Sequence, residues 1–166
     1  MSKLKNMRAI EIPRFRAVSS GVRPLDELFS REAGSFDSWV NAHRGLIRTH
    51  IYEPQDFLWH GDGGLNTGKS TWIVAVNDGV TEADTAPYDI VEFPGGMFLV
   101  ATGDEKDNDD LEETIGCMLA WIDSSDVFER GDLPGMCNMP NPGGAIDAAL
   151  GIAQQQIYWP LKFRQR

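Results

Sequence analysis

Two stretches of this chain, 81 residues apart, read alike, and this echo limits the possible folds more than any other feature. Ile10-Glu11-Ile12-Pro13 leads into alternating residues that end at Gly21. Val91-Glu92-Phe93-Pro94 leads into alternating residues that end at Gly103. A helical pattern follows each copy, and then two weaker extended segments. The second of these is Thr71 to Val76 in one half and Gln155 to Phe163 in the other. Self-similarity at a fixed offset marks a repeated structural unit. The expected fold class is α+β: duplicated β-α-β-β units, about residues 7–79 and 88–163, forming one curved antiparallel sheet with two main helices on one face and a central cleft. At 166 residues the chain suits a single domain, 1–166.

Local signals fill in this plan. Ile10, Ile12, Phe15 and Ala17 alternate around a break at Pro13. Pro24 opens a turn with Leu25, Leu28 and Phe29 at helical spacing, and Ser35 is placed to cap a helix carrying Phe36, Trp39, Val40 and His43. A strand is expected within residues 51–59. Thr71-Trp72-Ile73-Val74-Ala75-Val76 is rich in β-branched residues and reads as a strand. A long strand is expected from Tyr88 to Thr102. Asp109 or Asp110 should then cap a helix whose stripe is Leu111, Ile115, Met118, Leu119 and Ile122, stopped at Ser124. A short strand near Met136 to Met139, a helical turn from Ala145 to Leu150 and a last strand broken by Pro160 complete the pattern.

The formal net charge is −10, which argues against direct nucleic-acid binding, where basic side chains must replace counterions around phosphate. Cys117 and Cys137 have neither CxxC spacing nor a neighbouring histidine, and read as reduced thiols. There is no signal segment and no apolar run of membrane-spanning length, so a cytoplasmic protein is expected. Gly63 to Ser70 (GGLNTGKS) matches the P-loop pattern letter by letter. Its context fails, because Thr71 to Val76 should be a strand where a phosphate-binding loop needs a helix. Asp104 to Asp110 lacks the glycine that a calcium loop requires at its sixth position. His43, His50 and His60 share no metal spacing. Neither a metal nor a cofactor is expected.

Five tryptophans are many for this length and suit an aromatic-lined pocket. Trp39, Trp59, Trp72, Phe98 and Tyr158 are the aromatic candidates for ligand binding. Glu92 is the acidic one: if Val91 and Phe93 face the helices, Glu92 faces the cleft, where a desolvated carboxylate would attract a cation. Trp121 is expected to pack its helix on the sheet.

The two apolar-Glu-apolar-Pro strands, the segment from Ala120 to Glu129 (AWIDSSDVFE) and the closing Ile157-Tyr158-Trp159-Pro160-Leu161-Lys162 together resemble the GyrI-like effector-binding domain. This domain is the AraC-type ligand-binding module that follows the DNA-binding part of many multidrug-responsive regulators. The resemblance runs from about Met7 to Phe163. It implies a receptor for a hydrophobic, aromatic or cationic small molecule, linked to transcription regulation or to drug and toxin sensing. Some stand-alone members act on DNA gyrase or hydrolyse strained genotoxic molecules. A regulator or gyrase is therefore the partner protein it implies, and a hydrolase of a reactive small molecule is the alternative function. No basic helical pair precedes Met7, so the receptor half alone is expected. Many relatives carry a glutamate where this chain reads Gly135-Met136-Cys137-Asn138-Met139-Pro140, with no acid.

Overall fold

The computed structural model describes residues 5–48, 56–59, 68–139 and 145–165. In chain order these form β1 (Arg8–Ile12), β2 (Phe15–Pro24), α1 (Leu25–Leu28), α2 (Phe36–Ala42), β3 (Asp56–Trp59), β4 (Lys69–Ala75) and α3 (Glu82–Thr85). Then come β5 (Asp89–Phe93), β6 (Gly96–Asp104), α4 (Asn108–Asp123), β7 (Phe128–Arg130), β8 (Met136–Asn138), α5 (Ala145–Leu150) and β9 (Gln154–Phe163). The class is α+β, as expected, and every pairing between these strands described below is antiparallel.

The chain divides into two compact units, Pro13–Gly95 and Met1–Ile12 together with Gly96–Arg166. Within the first the strand order is β3-β4-β2-β5; within the second it is β8-β9-β6-β1, with β7 also on β9. The orders correspond element for element, which gives the sequence echo a physical form. Each apolar-Glu-apolar strand pairs with the long strand of the other copy: Ile10 lies opposite Phe98 and Phe93 opposite Phe15. The prolines that end them, Pro13 and Pro94, are where the chain leaves one unit for the other. The single long strand expected from Tyr88 to Thr102 is therefore two. Proline has no N–H to continue the ladder, and Gly95 and Gly96 turn the chain at φ 76° and 144°.

Helices cover one face of the strands in each unit. In Pro13–Gly95, Phe36 and Trp39 of α2 pack on Val18, Val74 and Val76, with Trp72 and Ile90 against them. Ser35 caps α2, accepting a bond from the Ser38 N–H at 3.2 Å. In the other unit Met118 and Ile122 of α4 pack on Leu99, Ala101, Ile157 and Leu161. The cap of α4 is Asp107, whose carboxylate accepts from the Asp110 N–H at 3.1 Å, rather than Asp109 or Asp110. Asp110 is buried instead and accepts from the Asp104 N–H. Close approach there depends on Gly103, since a Cβ would lie 2.9 Å from Leu111 Cδ2 and 3.3 Å from Thr114 Oγ1.

One further expectation is corrected. β9 runs unbroken through Pro160, whose carbonyl accepts from the Gly131 N–H at 2.8 Å. Trp121, although partly exposed, stacks on Phe128 of β7 at 6.1 Å and so packs α4 against a strand of the sheet, as expected. Two short elements, β7 and α3, carry too few residues to show a period in the sequence.

Ser35→Ala should lower unfolding stability by about 1 kcal/mol through loss of the cap, read from urea midpoints. Gly103→Ala should cost about 1–3 kcal/mol, because the added methyl must displace packed α4 side chains.

Candidate functional site

Strand side chains alternate between faces, so the helix-packed residues fix which side chains point the other way. On β2, Val18 packs under the helices, so Phe15 and Ala17 point away. Register carries this across the unit: Phe15 is opposite Phe93, Ala17 opposite Val91 and Ala75, and Phe57 opposite Ile73. The helix-free face of Pro13–Gly95 thus holds Phe15, Phe57, Phe93 and Trp59. Their rings touch: Phe15–Phe93 at 4.7 Å, Phe57–Phe93 at 6.0 Å, and Trp59 edge-on to Phe93 at 5.8 Å. Phe15, Phe57 and Phe93 are buried, and Trp59 at the end of β3 is half-buried. The indole N–H of Trp59 is nevertheless out of solvent and has no acceptor among the described residues.

In the other unit the same alternation turns Phe98, Val100 and Thr102 of β6 away from α4. With them go Gln156 and Tyr158 of β9 and Met136 and Asn138 of β8. Phe98 and Tyr158 are buried, edge to face at 6.5 Å. The Tyr158 hydroxyl donates to Gln156 Oε1 at 2.5 Å and lies 3.4 Å from Asn138 Oδ1. Asn138 is 4% exposed, and its Nδ2 donates to nothing among the described residues.

Three of the six expected site residues lie on helix-free faces. Trp59 lies on one helix-free face, and Phe98 and Tyr158 on the helix-free face of the other unit. Trp39 and Trp72 belong to the core beneath α2, with Phe36 against both rings. Glu92 is corrected in orientation and setting. It pairs with Arg16 in register and so shares the helix-bearing side with Val18 and Ile90, while Val91 and Phe93 turn the other way. Its side chain is 48% exposed, and its carboxylate is held by Arg14 Nε at 3.1 Å and Arg16 Nε at 3.7 Å. That is a hydrated, already paired carboxylate rather than a desolvated one. Phe15, Phe57 and Phe93 line the first helix-free face, and Asn138 and Gln156 the second, without having been expected there. The residue opposite each in register is the only signal that places them.

The remaining motifs fall into place. Lys69 begins β4, so no helix follows the P-loop letters; residues 61–67 lie outside the described residues. In the acidic run Asp104 Oδ1 accepts from the Lys106 and Ala153 N–H groups, Asp107 caps α4 and Asp110 bonds back to Asp104. His50 and His60 also lie outside the described residues. Among the described residues no three His, Cys, Asp or Glu side chains gather as a metal site requires, and no helix is long and apolar enough to cross a membrane. A half-open groove of about 260 Å³ lies beside α1 and α2, lined by Arg23, Glu27, Glu32, Phe36 and Tyr88 among others. Burial pushes the Cys137 thiol up from 9.0 to about 12, against the opposing pull of a hydrogen bond from Gln155 and with the charge of Glu105 adding to the rise.

No protein-family model matches the sequence, and no curated protein is significantly similar to it. Its fold does match solved structures. SAV2435, solved bound to tetraphenylphosphonium, superposes with a TM-score of 0.56 at 12% identity, over 95% of this chain and 94% of that one. The EcmrR C-terminal domain gives 0.63 at 16% identity, over 95% and 98%. EcmrR within a DNA complex gives 0.67 at 16% identity, and there this chain spans only 57% of the larger one. At such identities the likeness is one of fold alone.

Two measurements check this geometry. A raised thiol pKa favours the folded, protonated form, so the contribution of Cys137 is complete below the unfolded pKa and disappears as pH climbs toward about 12. Urea midpoints should therefore fall between about pH 9 and about pH 12 in the wild type, and less steeply in Cys137→Ala. Glu92→Gln should change unfolding stability by less than about 1 kcal/mol in the same urea titration, since an exposed, arginine-paired carboxylate contributes little.

Proposed function

We propose that this chain is an effector-binding module that holds a hydrophobic, aromatic small molecule on the helix-free face of the Pro13–Gly95 sheet, with Trp59 as the stacking surface. One observation carries the reading. Trp59 is the half-buried rim of an otherwise buried ring platform, and its indole N–H is out of solvent without an acceptor among the described residues. A buried unsatisfied donor costs about 1–3 kcal/mol, a cost that a ligand bearing an acceptor would remove. Flat rings also attract organic cations through their faces, which accommodates a cationic ligand without Glu92. The fold shared with a protein solved bound to tetraphenylphosphonium supports the same class of ligand.

The fold shared with a domain of EcmrR, solved on DNA, supports a link to transcription regulation. With a net charge of −10, contact with DNA would fall to a partner protein rather than to this chain. The hydrolase alternative needs an acid beside the ligand. Glu92, the acid proposed for it, is turned away and held by two arginines, so the receptor reading is the one the geometry favours.

Titration with tetraphenylphosphonium bromide should quench tryptophan fluorescence and saturate. Trp59→Leu should weaken that binding about tenfold, the loss of about 1.4 kcal/mol of ring contact. Absence of quenching in the wild type up to millimolar probe would remove the reading.

A further inference from the structure

The apolar core beneath α4 runs on past the end of that helix. Leu161 of β9 lies within it, and Phe128 of β7 packs against it. Phe163 is two residues beyond Leu161 on the same strand and so points to the same side; it stands opposite Phe128 in register. Phe163 is nevertheless 63% exposed. The rings follow one another without a gap, Trp121 to Phe128 at 6.1 Å and Phe128 to Phe163 at 5.3 Å. Trp121, at the α4 end of the row, is 38% exposed.

The outward side of α4 continues this surface. A helix lying on a sheet ordinarily turns charged and polar residues to solvent. α4 does so in its first half, where Asp109, Glu112 and Glu113 are exposed. From Thr114 to Ile122 it carries no charged residue, and the exposed positions of that stretch are Gly116, Ala120 and Trp121. A row of open rings joined to an uncharged helix face, on a chain of net charge −10, marks a contact surface. Beyond the uncharged stretch stands Arg130, on the ring side of β7, bonded to Asp123 through Nε at 3.1 Å and Nη2 at 2.6 Å. Asp123 engages two of the five guanidinium N–H groups, and the Arg130 side chain stays 48% exposed.

We propose that two copies of this chain associate through α4, β7 and the end of β9 as a symmetric pair, with Trp121, Phe128 and Phe163 in the contact. The order of charge along the surface selects this occupant. It is acidic at one end, apolar in the middle and carries an arginine at the other, so it is complementary to itself turned end for end, as an isologous contact requires. Antiparallel α4 helices bring the acidic first turn of each copy beside Arg130 of the other. They set the exposed rings against one another and place helix ends of opposite partial charge together. Elsewhere two chains of net charge −10 repel; over the uncharged stretch they do not. The pairing uses residues of Gly96–Arg166 alone and does not depend on the ligand site proposed for Pro13–Gly95.

Sedimentation velocity of the full chain from about 1 μM to about 1 mM should show reversible exchange between monomer and dimer. Ala120→Arg sets a long cation in the middle of the exposed helix face and should weaken dimerisation at least about tenfold, with the urea midpoint of the monomer unchanged. Phe163→Ser should weaken it by a similar factor. In the wild type the indole N–H resonance of Trp121 should move over the same dilution range, a readout that stands even if a variant fails to fold. A monomer throughout that range, a dimer that both substitutions leave intact, or dilution shifts that spare Trp121 overturns the proposal.

Discussion

The pairing of each proline-ended strand with the long strand of the other copy settles which side chains share a face. β2 and β6 each take a neighbour from the chain segment that precedes the other. Once Phe93 stands opposite Phe15, the pleat sends Val91 and Ala17 to the same side and Glu92 and Val18 to the opposite one. A slip of one residue would bury Glu92 among phenylalanines and turn Phe93 toward Arg16. The aromatic platform, the exposure of Glu92 and the packing beneath α2 all follow from that single register.

The two helix-free faces differ in chemistry although they share a plan. One carries phenylalanine rings and an indole; the other carries a phenylalanine, a tyrosine and a row of neutral polar groups. Duplication supplies the same strand positions twice, and divergence at those positions makes one face suited to stacking and the other to hydrogen bonding. Neutral polar side chains buried in a sheet are costly unless each is matched. The Tyr158 hydroxyl ties this row together, donating to Gln156 Oε1 and lying 3.4 Å from the Asn138 amide.

Much of the fold was legible in the sequence. The echo around Pro13 and Pro94, the serine before Phe36 and the β-branched run from Thr71 to Val76 each expressed a local physical rule, and the elements appear where those rules put them. What stayed illegible was non-local. Strand β5 reads Asp-Ile-Val-Glu-Phe, with an apolar residue on both faces, so alternation alone could not say which side met the helices. Ile90 turned out to do so, and the expected role of Glu92 depended on the opposite choice. The aromatic candidates were chosen by residue type, which does not separate Trp39 and Trp72, under a helix, from Trp59 on the open side of its sheet. Asn138 carries no charge, and only its buried place opposite Gln156, which no local pattern reveals, sets it apart.

The strand exchange also makes the two halves unequal as pieces of chain. Pro13–Gly95 is one continuous stretch that contains every strand of its own sheet. The other unit is assembled from both ends of the polypeptide, and without residues 8–12 strand β6 would present a bare line of amide and carbonyl groups along its border. During synthesis on the ribosome the first unit has all its strands in hand by residue 95. The opening strand, made before any of them, must wait for β6 to emerge before it finds its mate.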